Sequence, residues 1–159
     1  MPYYLIQPED PETPDALVLL DALSDTLAAI TGSSGRASFS PDDVRGEGAI
    51  FLIARDSAGR PVGCGAFRPL QSGVAELKRM YAAPGTQGAG SALLEALEAH
   101  AAQLGYAELW LETRLVNARA VRFYERKAYQ RIPNFGKYAG RPEAVCFAKR
   151  LPSGSSSPA

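Results

Sequence analysis

The chain has few of the residues that staple small proteins or bind metals. Two cysteines and one histidine occur among its 159 residues. Cys64 and Cys146 each sit among small or apolar neighbours in strand-like runs. They read as buried small hydrophobes of a reducing compartment, not as a disulfide. With one histidine, no zinc-ligand spacing can be written, so no metal is expected. Neither sign of charge is in excess: Lys and Arg number 17, Asp and Glu also 17. That balance, and the lack of a basic run, gives nucleic acid and anionic membrane no global electrostatic attraction. No segment approaches the roughly 18 consecutive apolar residues of a membrane span. The start, Met1 to Gln7, lacks the charged beginning and long apolar stretch of a signal peptide, so a cytoplasmic protein is expected.

The composition that is there, 46% hydrophobic and 21% charged, is ordinary for a globular protein. The length predicts one domain with a core of its own, over residues 1–152. Residues 153–159, Ser-Gly-Ser-Ser-Ser-Pro-Ala, read as a low-complexity, disordered tail.

Tyr3 to Gln7 reads as a short strand. Thr13-Pro14 opens a helix, with a hydroxyl N-cap and proline at the first position, and Gly32 closes it. Helical spacing places Leu17, Leu20, Ser24, Leu27 and Ile30 on its inner face, with Leu23 beside them. A polar Gly/Ser-rich loop follows, with a helical turn opening at Ser40-Pro41-Asp42. Ala49–Arg55, Pro61–Pro69 and Val74–Ala82 then read as an antiparallel meander. A helix from about Gly90 to Leu104 presents Leu93, Leu94, Leu97, Ala101 and Leu104 on one face. A strand over 107–113, a helix over 118–127, a strand over 129–132, a Gly-rich loop and a strand over 144–149 complete the order. The fold expected is mixed α/β, a mostly antiparallel twisted sheet flanked by helices.

Pro84-Gly85-Thr86-Gln87-Gly88-Ala89-Gly90-Ser91 joins the third meander strand to a helix start. Such a loop leaves backbone N–H groups unpaired at a positive helix end, and its glycines let phosphates approach them. It reads as a pyrophosphate cradle, with a plain tight turn as the competing reading. No lysine stands where an NTP-binding P-loop needs one. A dinucleotide-binding domain would require a parallel sheet, which the meander argues against.

With these pieces in place, the chain resembles the GNAT acetyltransferase superfamily, over roughly residues 3 to 151. The resemblance rests on Ala75-Glu76-Leu77-Lys78-Arg79-Met80-Tyr81 leading to Gln87-Gly88-Ala89-Gly90 and Leu93-Leu94. It rests also on Leu111-Glu112-Thr113 followed by Asn117-x-x-Ala120-x-x-x-Tyr124, and on Phe135-Gly136-Lys137-Tyr138 near the end. The loop is about two residues shorter than the family spacing, and Lys127-Ala128 stands where glycine is common.

The resemblance implies acetyl-CoA as co-substrate and transfer of its acetyl group to a primary amine of a small molecule or peptide. It implies cofactor contacts from Met80, Tyr81 and Ala82 on a strand that splays from its neighbour near Tyr81. The phosphates would lie on Gln87, Gly88, Ala89, Gly90 and Ser91. Asn117, Ala120 and Tyr124 would flank the pantetheine arm. Tyr124 would serve as general acid, and Glu76 as base directly or through water, with Glu112 the second choice. Arg79 and Tyr138 would shape the acceptor pocket, Arg79 by gripping a substrate carboxylate or else forming a surface ion pair. Strand alternation sets Glu76, Lys78 and Met80 on one face and Leu77, Arg79 and Tyr81 on the other. A homodimer is compatible with the family. A competing function is an acyl-CoA-binding sensor without turnover.

Overall fold

The computed structural model describes residues 3–36 and 39–152. The reading of a disordered tail at 153–159 lies outside the described residues. Seven strands form one sheet in the order β1-β2-β3-β4-β5-β7-β6. These are β1 (Leu5–Pro8), β2 (Ile50–Arg55), β3 (Pro61–Gln71), β4 (Val74–Ala82), β5 (Glu108–Arg114), β6 (Gln130–Ile132) and β7 (Ala144–Arg150). Every neighbouring pair is antiparallel except β4 and β5. The parallel sheet that a dinucleotide-binding fold needs is therefore absent among the described residues.

Helix α1 (Pro14–Thr31) covers one face; α2 (Ala89–Gln103) and α3 (Ala118–Arg126) cover the other. Thr13 caps α1 by accepting from the Ala16 amide, and Gly32 ends it at φ 82°. Only glycine adopts that left-handed angle without cost. The buried stripe of α1 is Ala16, Leu19, Leu20, Leu23 and Ser24. Leu17 and Ile30, expected inside, are 47% and 40% exposed. The stripe keeps Leu20, Leu23 and Ser24 and takes in Ala16 and Leu19 instead of Leu17 and Ile30. Leu104, likewise expected inside, lies past the end of α2 and is exposed.

Two apolar layers hold the sheet. Leu77, Leu93, Leu94, Leu97, Leu109, Leu111, Tyr124 and Phe147 fill the α2–α3 side. Leu19, Leu20, Phe51, Ile53, Cys64 and Ala66 fill the α1 side. Both cysteines are free and buried. Burial pushes the Cys64 thiol up to about 12.

The sheet is irregular where β4 matters most. Register slips between Cys64 and Ala66 of β3, which face Tyr81 and Lys78 of β4. The extra residue is a β-bulge at Arg79, whose φ is +57°. The bulge inverts the expected alternation beyond it. Glu76, Lys78 and Arg79 face the α1 side, while Met80 packs with Leu77 on the α2 side. Tyr81 turns to the α1 side.

Candidate active site

β4 and β5 pair only over Val74–Glu76 and Glu108–Trp110. Beyond Glu76 they diverge, so β4 runs on to Ala82 with no strand on its β5 side. The opening thus begins near Glu76, several residues before the Tyr81 point expected from resemblance.

At the far end of β4, Gly88 caps α2 at φ 79° and offers no side-chain cap. Among the described residues, the amides of Gln87, Gly88, Ala89, Gly90 and Ser91 donate to no backbone acceptor, and the helix's first closing bond is Ala92 N–H to the Gly88 carbonyl. These are the orphan donors of a helix start, at the positive end of a 15-residue helix. The loop is tied down by Tyr4, whose hydroxyl donates to the Gln87 carbonyl at 2.7 Å. No Cβ at Gly88 would meet protein within 4 Å, so the approach to the cradle is open.

In the opening lies a cavity of about 180 Å³, walled by residues from both faces of the sheet. It gathers Glu76, Lys78, Arg79, Met80, Glu112, Asn117, Ala120, Tyr124 and Tyr138 from β4, β5, α3 and the loop before β7. Tyr81, Ala82 and the loop residues 87–91 are not in its lining.

Glu76 is 3% exposed. Its Oε1 accepts from Arg68 Nη1 at 2.9 Å, its Oε2 from Tyr138 Oη at 2.9 Å, and Lys78 Nζ stands 3.9 Å away. Both carboxylate oxygens are engaged, which fixes the charge in place. Glu112 is held less firmly. Arg114 Nε lies 3.5 Å from its Oε2. Burial, opposed by Arg114 and aided by the Glu76 charge, pushes its carboxyl above the usual range. Burial also lowers the Lys78 ammonium's affinity for its proton.

Tyr124 is buried against Phe123, Tyr129 and Phe147. Its hydroxyl faces the cavity without a hydrogen-bond partner among the described residues. Burial raises its pKa well above that of a free phenol, so it stays protonated. Asn117 caps α3 by accepting from the Ala120 amide at 3.3 Å. Its side chain therefore has a structural task as well as a place in the cavity wall.

Arg79 forms no ion pair among the described residues, which overturns the surface-pair alternative. Its Nη2 donates to Ser24 Oγ at 2.8 Å, and the guanidinium lies 5.3 Å from the Phe39 ring centre.

Sequence reasoning missed Arg68, Arg114, Leu23 and Leu27 at this site. Arg68 was within reach: counting back through the hairpin turn Ser72-Gly73 sets it opposite Glu76. The α1 residues carry no signal beyond their apolar spacing.

The sequence profile of the acetyltransferase (GNAT) family matches residues 19–129. The chain belongs to that family. A candidate acyl-CoA N-acyltransferase from Klebsiella pneumoniae subsp. pneumoniae MGH 78578 shares 31% identity and a TM-score of 0.78, over 93% of this chain and 97% of that one. An Elizabethkingia anophelis GNAT acetyltransferase, solved with acetyl-CoA bound, shares the fold at 18% identity and a TM-score of 0.68, over 93% and 98% of the two chains. An uncharacterized N-acetyltransferase of Schizosaccharomyces pombe is 35% identical over 79 residues, about half (48%) of each chain. Among the described residues no group of three His, Cys, Asp or Glu side chains could hold a metal, and no helix is long and apolar enough to cross a membrane.

Proposed function

We propose that this protein transfers the acetyl group of acetyl-CoA to a primary amine of a small molecule or peptide, by direct attack. The observation that carries the reading is the row of unpaired amides from Gln87 to Ser91 at the start of α2, beside the parted strands β4 and β5. Those donors suit a pyrophosphate, and the free side of β4 suits a pantetheine amide chain.

In the transfer the amine nitrogen bonds to the thioester carbonyl carbon as the carbon–sulfur bond breaks. The nitrogen gives up one proton and the departing sulfur takes one. Tyr124 supplies the second, because its buried hydroxyl holds its proton and faces the cavity. For the first, the geometry favours Glu112 over Glu76, acting directly or through a water. Glu76 already accepts from Arg68 and Tyr138, whereas Glu112 has a longer ion pair, to Arg114 at 3.5 Å, and a carboxyl made more basic by burial. Glu76 then acts as a fixed negative charge that orders Lys78 and Tyr138 around the amine. Positioning of the two reactants supplies much of the rate.

The test is calorimetric titration of the purified protein with CoA, followed by thiol release from acetyl-CoA with a panel of amines. Micromolar CoA binding with amine-dependent thiol release supports the reading. Binding without release would leave an acyl-CoA-responsive module, and no binding at millimolar CoA would remove the reading altogether.

A further inference from the structure

The cavity wall carries five charged side chains: Glu76, Lys78, Arg79, Glu112 and Arg114. Glu76 is matched by Arg68 and Lys78, and Glu112 by Arg114. Arg79 has no carboxylate within ion-pair distance among the described residues. Arg79 is thus the charged side chain of the wall that has no opposite charge beside it among the described residues.

Its surroundings make that lack costly. Arg79 sits on the bulge at φ +57°, an angle that a residue with a Cβ adopts under strain. Its Nε is enclosed and has no hydrogen-bond partner. A single neutral hydroxyl, Ser24 Oγ, accepts from Nη2, and the Phe39 ring lies beside the guanidinium. Burial lowers its affinity for its proton, against the habit of arginine in proteins. Nη1 lies close to Gly35, where an added Cβ would come within 3.0 Å. A half-buried cation whose Nε is enclosed without a partner gains from an anion brought beside it. Where one is kept, strained and facing a cavity, a ligand's charge is the missing partner.

We propose that the acceptor amine also carries a carboxylate, and that Arg79 binds it. This rests on the reading that amines are acetylated here, and it narrows the acceptor to amino acids and similar amino-carboxylates. The two ends of such a molecule fit the two ends of the wall. The amine meets the carboxylates Glu76 and Glu112. The carboxylate meets Arg79, flanked by the apolar Leu23 and Leu27 of α1, which would receive an aliphatic part. A charge-assisted pair of this kind discriminates by about ten- to a hundred-fold against a ligand lacking the anion.

The experiment pairs common amino acids with their decarboxylated amines, leucine with isopentylamine for instance, and measures kcat/KM at saturating acetyl-CoA. Arg79→Met and Arg79→Lys are assayed beside the parent protein. The parent is expected to prefer the carboxylate-bearing member of its best pair at least ten-fold. In Arg79→Met that ratio collapses towards one, through KM of the amino acid, and Arg79→Lys restores part of it. Calorimetry with the product, such as N-acetylleucine, reads the same contact without turnover and should lose its heat in Arg79→Met. A ratio measured within one variant is insensitive to partial unfolding. Amines acetylated with no preference for the carboxylate, or a preference that survives Arg79→Met, would overturn this inference and leave the acetyltransferase reading standing. If neither member of any pair is acetylated, both fall.

Discussion

Tyr138 donates its hydroxyl proton to Oε2 of Glu76 at 2.9 Å, across 62 residues of chain. The bond closes the cavity on its β7 side, and with Arg68 it leaves neither oxygen of Glu76 free. Removing the carboxylate takes the ion-pair partner from Arg68 and a nearby anion from the mostly buried Lys78. Glu76→Gln should therefore destabilise the fold by about 3 kcal/mol. In a domain of this size that is a Tm lower by roughly 6–12 °C. Tyr138→Phe, which removes one donor to a charged group, should cost about 1.5 kcal/mol. Scanning calorimetry on both variants checks the order. A Glu76→Gln protein as stable as its parent would mean that the charge is not fixed as described.

Glu112 should behave in the opposite way. Burial raises its carboxyl above the ordinary value of 4.5. A carboxyl raised on folding favours the native state while protonated. That contribution is complete below the unfolded value and is lost as pH rises through the folded one. Glu112→Gln keeps a neutral side chain at all pH. It should thus be at least as stable as the parent at pH 7–8, with the difference closing below about pH 4.5. If Glu112 is the base, the same variant loses the acidic limb of kcat/KM, and that limb in the parent lies above 4.5. A variant with the parent's pH–rate profile would return the base role to Glu76 or to water.

The two carboxylates show where sequence reading reaches and where it stops. Element order, the caps Thr13-Pro14 and Gly32, and the meander were readable because hydrophobic period and turn residues act locally. The bulge was not. A residue with a Cβ at φ +57° leaves no mark in the sequence, and one extra residue inverts every later side chain of the strand. Met80 and Tyr81 were placed on the wrong faces for that reason. The Tyr138–Glu76 bond depends on how a loop folds back across a separation of 62 residues, which no local rule encodes. The stripe of α1 was misread at its edge, where Ala16 and Leu19 rather than Leu17 and Ile30 are buried, because helical spacing leaves the boundary of an apolar face open.

Tyr124→Phe deletes a hydroxyl that has no partner among the described residues and keeps a ring packed on three others. The fold should scarcely notice. Turnover should, since general acid catalysis is worth about 10²- to 10⁴-fold. The expected result is a fall in kcat of at least a hundred-fold, with the acetyl-CoA dissociation constant within three-fold of the parent. Because burial holds the Tyr124 proton beyond the ordinary phenol value of 10.0, the parent should show no alkaline limb from it below that pH. Unchanged kcat in Tyr124→Phe would remove it as the acid.

Gly90→Ala separates the cradle from the helix that bears it. An added Cβ at Gly90 meets Ala82 and Phe123 at 3.7 Å, an ordinary contact, and Gly90 is not at positive φ. Alanine also favours a helix over glycine by about 1 kcal/mol. The variant should be as stable as the parent or more so. If phosphates rest on the amides of Gln87–Ser91, the methyl group crowds them and CoA affinity falls by ten-fold or more. Calorimetric titration decides: parental affinity would place the phosphates elsewhere.

Ala128 offers a gain instead of a loss. It follows α3 at φ +71°, in the left-handed region, where the Tyr129 amide turns back to the Tyr124 carbonyl. The turn delivers Tyr129 into the core, with its hydroxyl donating to Glu98 at 2.8 Å, and so it cannot relax. A Cβ in that conformation costs about 1–2 kcal/mol. Glycine removes the clash and returns part of the benefit as unfolded-state entropy. Ala128→Gly should therefore stabilise the protein by about 1 kcal/mol, raising Tm by roughly 2–4 °C. The substitution leaves every side chain of the cavity in place, so kcat should match the parent. A lower Tm in Ala128→Gly would show that the left-handed turn carries no strain.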